Sequence, residues 1–180
     1  MLNAKVIGVG AAGNHAAIHL IETGVMNYND VLLINSTLKD VPAQYKEMAI
    51  ELSGSEGCAK ERGIAHELIM NNLRSSELSG RFDFLLNEND SMVIIVTSAE
   101  GGTGSGSSSV IAKYFSEVLG KRVHLTVFGG FEEDARGLKN TVEWFKETNK
   151  DYIVDSICNK KFCTTILTKA LCVLLPIISI

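Results

Sequence analysis

Short apolar runs alternate along this chain with segments whose apolar residues recur at helical spacing. Runs over residues 5–9, 31–35, 91–97, 122–128 and 151–157 read as strands, and segments 13–22, 60–74, 107–119 and 136–148 read as helices. In the third helix, Val110, Ile111, Tyr114, Phe115, Val118 and Leu119 fall at i, i+1, i+4, i+5, i+8 and i+9, the buried stripe of one helix. The first carries Ala16, Ala17, Ile18, Leu20 and Ile21 in the same manner. Strands that are apolar throughout, alternating with helices, predict an α/β fold: a parallel sheet covered by helices on both faces. Such sheets bind ligands at the carboxyl ends of their strands.

Glycines gather at two of the predicted strand-to-helix junctions. The run Glu100-Gly-Gly-Thr-Gly-Ser-Gly-Ser-Ser108 holds Gly101, Gly102, Gly104 and Gly106 where a strand passes into a helix. Backbone N–H groups there can approach an anion, and the helix dipole favours negative charge, so the run reads as a phosphate cradle. A Walker A loop is excluded because Ser107 stands where that loop requires lysine. A kinase-type glycine loop lies in a hairpin between strands and does not lead into a helix. A flexible Gly/Ser linker is disfavoured by the helical periodicity that follows. The other junction, Lys5-Val-Ile-Gly-Val-Gly-Ala-Ala-Gly-Asn14, is a GxGxxG pattern that by itself points to a dinucleotide-binding Rossmann unit. That unit needs an acidic residue at the end of the next strand, for a ribose 2′-hydroxyl. The strand ends instead in Asn35-Ser36-Thr37, which can hydrogen-bond a ribose or a base but carries no charge. An NAD(P)-dependent oxidoreductase is thereby the alternative reading, and a non-catalytic interaction protein with the same fold is a third.

Two glycine loops without a Walker lysine or a Rossmann acid form a pattern that resembles the tubulin/FtsZ superfamily of polymerising GTPases. Gly10-Ala11-Ala12-Gly13-Asn14 is similar to its first nucleotide loop, and Gly101-Gly102-Thr103-Gly104-Ser105-Gly106 resembles its GGGTG[ST]G signature. Asn35-Ser36-Thr37 resembles the segment after the second strand, and residues 54–60 lie where the family has a Gly/Ala-rich loop near the γ-phosphate. The resemblance implies a Rossmann-like GTPase domain over residues 1–162 that binds GTP or GDP with Mg²⁺. It also implies that Glu132 and Arg136 contact the ribose and its surroundings, with Glu133 the rival for Glu132, and that Asn159 holds the guanine. Partners implied are further copies of the chain or a full-length homologue in filaments, serving cell division or plasmid and phage DNA partition. Hydrolysis in this family is completed by an acidic loop of the adjoining subunit.

Departures from the family pattern shape these expectations. Glu100 replaces the first glycine of the signature and places a negative charge close to the expected phosphates, weakening binding unless Mg²⁺ or solvent screens it. Ala11 and Ala12 replace glycines, and Gly129-Gly130 stands in place of a proline before Phe131. The divergence fits the plasmid and phage branch best. Residues 163–180 resemble no part of the family. They hold none of the expected acids, and the uncharged run 170–180 is too short to span a bilayer. That stretch reads as a truncated or divergent start of the central helix, so the expectation is the binding half of the machinery without its catalytic half.

Composition adds limits. A length of 180 residues with 46% hydrophobic content suits one α/β core, and a net charge of −4 argues against a general nucleic-acid surface. Cys58, Cys158, Cys163 and Cys172 lack zinc-ligand spacing, which reads as reduced thiols in the cytoplasm. Met1–Lys5 leads directly into a core strand and reads as no signal peptide. His15 and His19 have i, i+4 spacing but no third ligand, so they read as a helix face near the nucleotide. Trp144, with Val142 and Phe145, reads as core contact, and Lys150, Lys160 and Lys161 as a solvated rim.

Overall fold

The computed structural model describes residues 4–54, 57–87, 89–90, 92–129, 135–148 and 153–157. Six strands form one sheet: β1 (Ala4–Val9), β2 (Val31–Asn35), β3 (Ala49–Glu51), β4 (Met92–Ser98), β5 (Arg122–Phe128) and β6 (Ile153–Ile157). Their order is β3-β2-β1-β4-β5-β6, and every pairing is parallel. This is the doubly wound order, whose switch point lies between β1 and β4, the two strands that run into the glycine segments. Their register sets Val9 opposite Thr97, so the two segments leave the sheet side by side.

The helices are α1 (Gly10–Glu22), α2 (Arg62–Arg74), α3 (Ser76–Leu85), α4 (Gly102–Lys113) and α5 (Ala135–Thr148). Alternate residues of the strands feed two cores. On one face Val6, Leu33, Ile94 and Val96 pack with Ala16, Ala17 and Leu20 of α1. On the other Ile7, Ile34, Ile95 and Leu125 pack with Leu68, Phe82, Phe115 and Trp144 from the region of α2 to α5. Each fully buried Phe or Leu contributes about 1.5–3 kcal/mol. The expected parallel sheet with helices on both faces is therefore present. Among the described residues no helix is long and apolar enough to cross a membrane.

Several expectations change. α1 and α4 begin at Gly10 and Gly102, not near residues 13 and 107. Apolar periodicity marks where a helix starts to bury side chains, and both helices start earlier, on glycines that bury backbone instead. Val118, expected in the stripe of α4, is 65% exposed, while Phe115 is fully buried. The cause is a π-helical turn at Tyr114–Val118, whose extra residue rotates Val118 off the stripe while Leu119 still packs against the core. Val142 is 46% exposed although Trp144 is fully buried. Two residues turn a helix by roughly 200°, so both side chains cannot face one core. Strand β3 and helix α3 were not expected, although Leu78, Phe82 and Leu85, at i, i+4 and i+7, are the buried face of α3. Trp144 is core as expected, and its indole Nε1–H donates to Ser108 Oγ at 2.8 Å.

Candidate nucleotide site

The first turns of α1 and α4 open into one cavity of about 320 Å³ at the carboxyl ends of β1, β2 and β4. Gly10, Ala11 and Ala12 line it from α1, Gly101 from the residue before α4, and Gly102, Thr103 and Gly104 from α4. The helices are preceded by Val9 and Gly101, and neither receives a side-chain cap. Neither has an acidic residue in its first turn. The leading N–H groups of both helices thus lack the usual capping partner, and each helix end bears roughly half a positive charge. This is an anion-binding arrangement made twice over.

The third wall comes from β2. Asn35 Oδ1 accepts from the N–H of Ser36 at 3.0 Å, and Asn35 O accepts from the N–H of Leu52 at 2.8 Å. Ser36 Oγ lies 2.8 Å from Thr103 Oγ1, joining this wall to the first turn of α4. The fourth wall is the turn Gly57-Cys58-Ala59-Lys60. Ala59 and Lys60 have φ of 42° and 62°, and the N–H of Glu61 donates to Cys58 O, a tight turn with two left-handed residues that are not glycine. Such backbone costs about 1–3 kcal/mol per residue and persists only where its surroundings hold it. Helix α5 does the holding. Buried Asn140 donates from Nδ2 to Lys60 O and to Glu100 O, each at 3.0 Å, tying the turn to the entrance of α4.

The glycines do different things. Gly10 has φ +75°, and a Cβ there would stand 3.0 Å from the N–H nitrogen of Gly104, so the two glycine segments touch. Gly13 faces β4, where a Cβ would lie 3.2 Å from Thr97 Cα. A Cβ at Gly104 would meet Ser98 O at 2.5 Å and Thr97 Oγ1 at 2.6 Å. At Gly106 it would meet Ala65 Cβ of α2 at 2.7 Å. Gly104 and Gly106 therefore let α4 lie against β4 and α2.

No protein-family model matches the chain. Its fold does match solved structures. CetZ1 from Haloferax volcanii, solved as a GDP-bound monomer, has a TM-score of 0.75 at 18% identity over 95% of this chain and 58% of its own. CetZ2 from the same organism, solved as a GTPgS-bound protofilament, gives 0.78 at 16% over 95% of this chain and 56% of its own. TubZ of Clostridium botulinum phage c-st gives 0.76 at 21% over 94% of this chain and 58% of its own. The chain has the tubulin/FtsZ fold. At these identities the likeness is one of fold, and the chain spans just over half the length of each of these structures.

Within that tubulin/FtsZ fold, the expected site residues divide. Gly10, Ala11, Ala12, Gly101, Gly102, Thr103 and Gly104 share the cavity, whereas Gly13, Asn14, Ser105, Gly106 and Arg136 do not line it. Ser105 Oγ is turned into its own helix and donates to Gly101 O. Arg136 is exposed, with a guanidinium nitrogen 3.0 Å from Glu61 Oε1 and another donating to Ala59 O at 3.4 Å, so it braces the strained turn from outside. Glu132, Glu133 and Asn159 lie outside the described residues, as do 163–180, Cys158, Cys163 and Cys172. Asn14 is buried, and among the described residues neither its amide oxygen nor its nitrogen has a partner. His15 is exposed, and among the described residues no three His, Cys, Asp or Glu side chains group to hold a metal ion.

Sequence reasoning missed Asp40, Ser98 and Asn140. Asp40 and Ser98 line the cavity and Asn140 braces it. Asn140 has no local signal, because its importance comes from two carbonyls distant in sequence.

Proposed function

We propose that this chain is the guanine-nucleotide-binding domain, over residues 1–162, of a filament-forming GTPase of the tubulin/FtsZ kind. The observation that carries the reading is the convergence of two uncapped helix N-termini, free of acidic first-turn residues, on one cavity at the switch point of the sheet. In this reading the N–H groups of Gly10–Ala12 and Gly102–Gly104 hold the phosphates, and Thr103, braced by Ser36, fixes the first turn of α4. Asn14, buried and outside the cavity lining, belongs to the nucleotide loop by resemblance. Glu132 and Arg136 at the ribose and Asn159 at the guanine complete the set by resemblance. The fixed dipoles of α1 and α4 stabilise negative charge on the phosphates without reorganising, the property that phosphoryl transfer demands. Mg²⁺ bound with the nucleotide would neutralise further phosphate charge.

CetZ1 with GDP and CetZ2 with GTPgS support a guanine nucleotide as the ligand, and the CetZ2 protofilament supports copies of the protein as partners. The filaments would serve cell division or plasmid and phage DNA partition, and the departures in sequence together with the likeness to phage TubZ support the plasmid and phage branch. The strand order is shared with NAD(P)-binding Rossmann domains, but β2 ends in neutral Asn35. Calorimetric titration with GTP, GDP, ATP and NADH tests the reading. Guanine nucleotides are expected to bind in preference to the others; equal or tighter binding of ATP or NADH would overturn it.

A further inference from the structure

The opposite end of the sheet carries a second cavity, of about 180 Å³, beside the amino ends of β2 and β3. Small-molecule sites run to about 300–1,000 Å³, so this hole suits a single side chain. Tyr28, Leu32, Met48 and Leu85 give it apolar walls, and Glu47 and Arg81 add one charge of each sign. The walls are held in place. The Tyr28 ring stacks on Tyr45 with centroids 6.4 Å apart, its hydroxyl donates to Gln44 O at 3.3 Å, and Arg81 Nη2 donates to Glu47 O at 2.7 Å. Beside the hole is Phe84 of α3, which is 89% exposed. Leu78, Phe82 and Leu85 take the buried face of α3, and Phe84, two residues beyond Phe82, is turned roughly 200° from it. Glu77, Arg81 and Phe84, at i, i+4 and i+7, share the outer face, where helical amphipathicity calls for polar groups. A lone apolar residue on a surface needs no explanation, but an exposed aromatic ring beside a hole of side-chain size does.

We propose that this patch is an interface between two copies of the chain related by a two-fold axis, in which Phe84 of each copy fills the cavity of the other and Arg81 of each faces Glu47 of the other. A two-fold interface joins one patch to itself, so the patch must be complementary to itself. This one carries a knob and a hole, and a cation and an anion, within a single surface. Among the described residues neither the Glu47 carboxylate nor the Arg81 guanidinium has an ionic partner, so both charges are available to a second copy. The head-to-tail contact of a filament joins two different faces and asks for no such pairing. The nucleotide cavity is lined by Asn35 at the far end of β2, whereas Val31 and Leu32 line this one, so both nucleotide cavities stay open in the pair. The proposal is therefore independent of the nucleotide reading.

Sedimentation equilibrium of the full chain without nucleotide tests it. The wild type is expected to pass from monomer at about 1 µM to dimer at about 100 µM, as a small interface allows, and Phe84→Ser to weaken the dimer roughly tenfold or more. Glu47→Arg and Arg81→Glu each set like charges against one another across the axis, so either variant alone is expected to be monomeric. Mixed one to one they are expected to form a heterodimer, because every charge then faces its opposite. Only a patch that meets itself behaves in that way. A wild type monomeric at every concentration, or a dimer indifferent to Phe84→Ser, overturns the proposal in favour of another occupant of the cavity, a segment of the same chain or a different protein. A mixture of the two charge variants that stays monomeric overturns it as well. Should Arg81→Glu fail to fold for want of its bond to Glu47 O, the wild type, Phe84→Ser and Glu47→Arg still decide, the last two being changes at exposed side chains.

Discussion

The two glycine segments look alike in sequence and are built differently. At the first, Gly10 takes φ +75° and turns the chain from β1 directly into α1, and Gly13 lets α1 sit on β4. At the second, no glycine from Gly101 to Gly106 has a positive φ. Gly102, Gly104 and Gly106 lie within α4 and face three different neighbours: the strained turn, β4 and α2. One segment uses glycine for conformation and contact, the other for contact alone. A run that reads as a pliant loop around phosphates is here a rigid helix packed by backbone on several sides, and only its first turn meets the cavity.

The largest effect is expected at Gly104. Gly104→Val drives its side chain into Ser98 O and Thr97 Oγ1, both backbone or buried, and is expected to cost about 3 kcal/mol or more, a large share of a domain's stability. Thermal unfolding followed by circular dichroism without nucleotide checks this. A stable variant that merely fails to bind would show that the glycine serves the ligand, not the packing. Gly10→Ala comes next, with about 1–2 kcal/mol for a left-handed residue and a close approach to Gly104. A melting temperature unchanged from wild type would refute the conformational role.

A smaller effect is expected at Arg62, which fastens the second segment from outside. Its Nε donates to Ser105 O at 3.2 Å, and its guanidinium pairs with Glu147 on α5. The hydrogen bonds from Arg62 hold the Glu147 carboxyl below its ordinary value of 4.5, with partial burial opposing them. A depressed folded-state value means that this contribution is full above about pH 4.5 and is lost as pH falls through the lower value. Glu147 is half exposed, so Arg62→Met is expected to cost no more than about 1 kcal/mol near neutral pH. The difference from wild type should shrink in acid; urea unfolding at pH 7 and pH 3.5 would reveal a gap that fails to narrow. The smallest effect belongs to Gly101→Ala, where φ is −73° and a Cβ meets nothing within 4 Å among the described residues. Stability within about 0.5 kcal/mol of wild type is expected, and a larger loss would contradict the placement of α4.

Local sequence pattern determines five of the six described strands, the parallel sense of the sheet and the two junctions at which a ligand would sit, and leaves out the short edge strand β3. Apolar runs such as Val31–Asn35 report burial on both faces, and neutral Asn35 already argued against a Rossmann acid. These are local properties, carried by residues close together along the chain. Tertiary structure decided which residues at those junctions meet the cavity. Gly106 and Gly104 are equivalent in sequence, yet one lies on α2 and the other lines the cavity. The brace from Asn140 to Lys60 and Glu100 spans 80 and 40 residues, and the turn it holds uses Ala59 and Lys60 in a conformation their own propensities oppose. No local pattern encodes such contacts, because the energy that fixes them comes from elements that meet only once the sheet has formed.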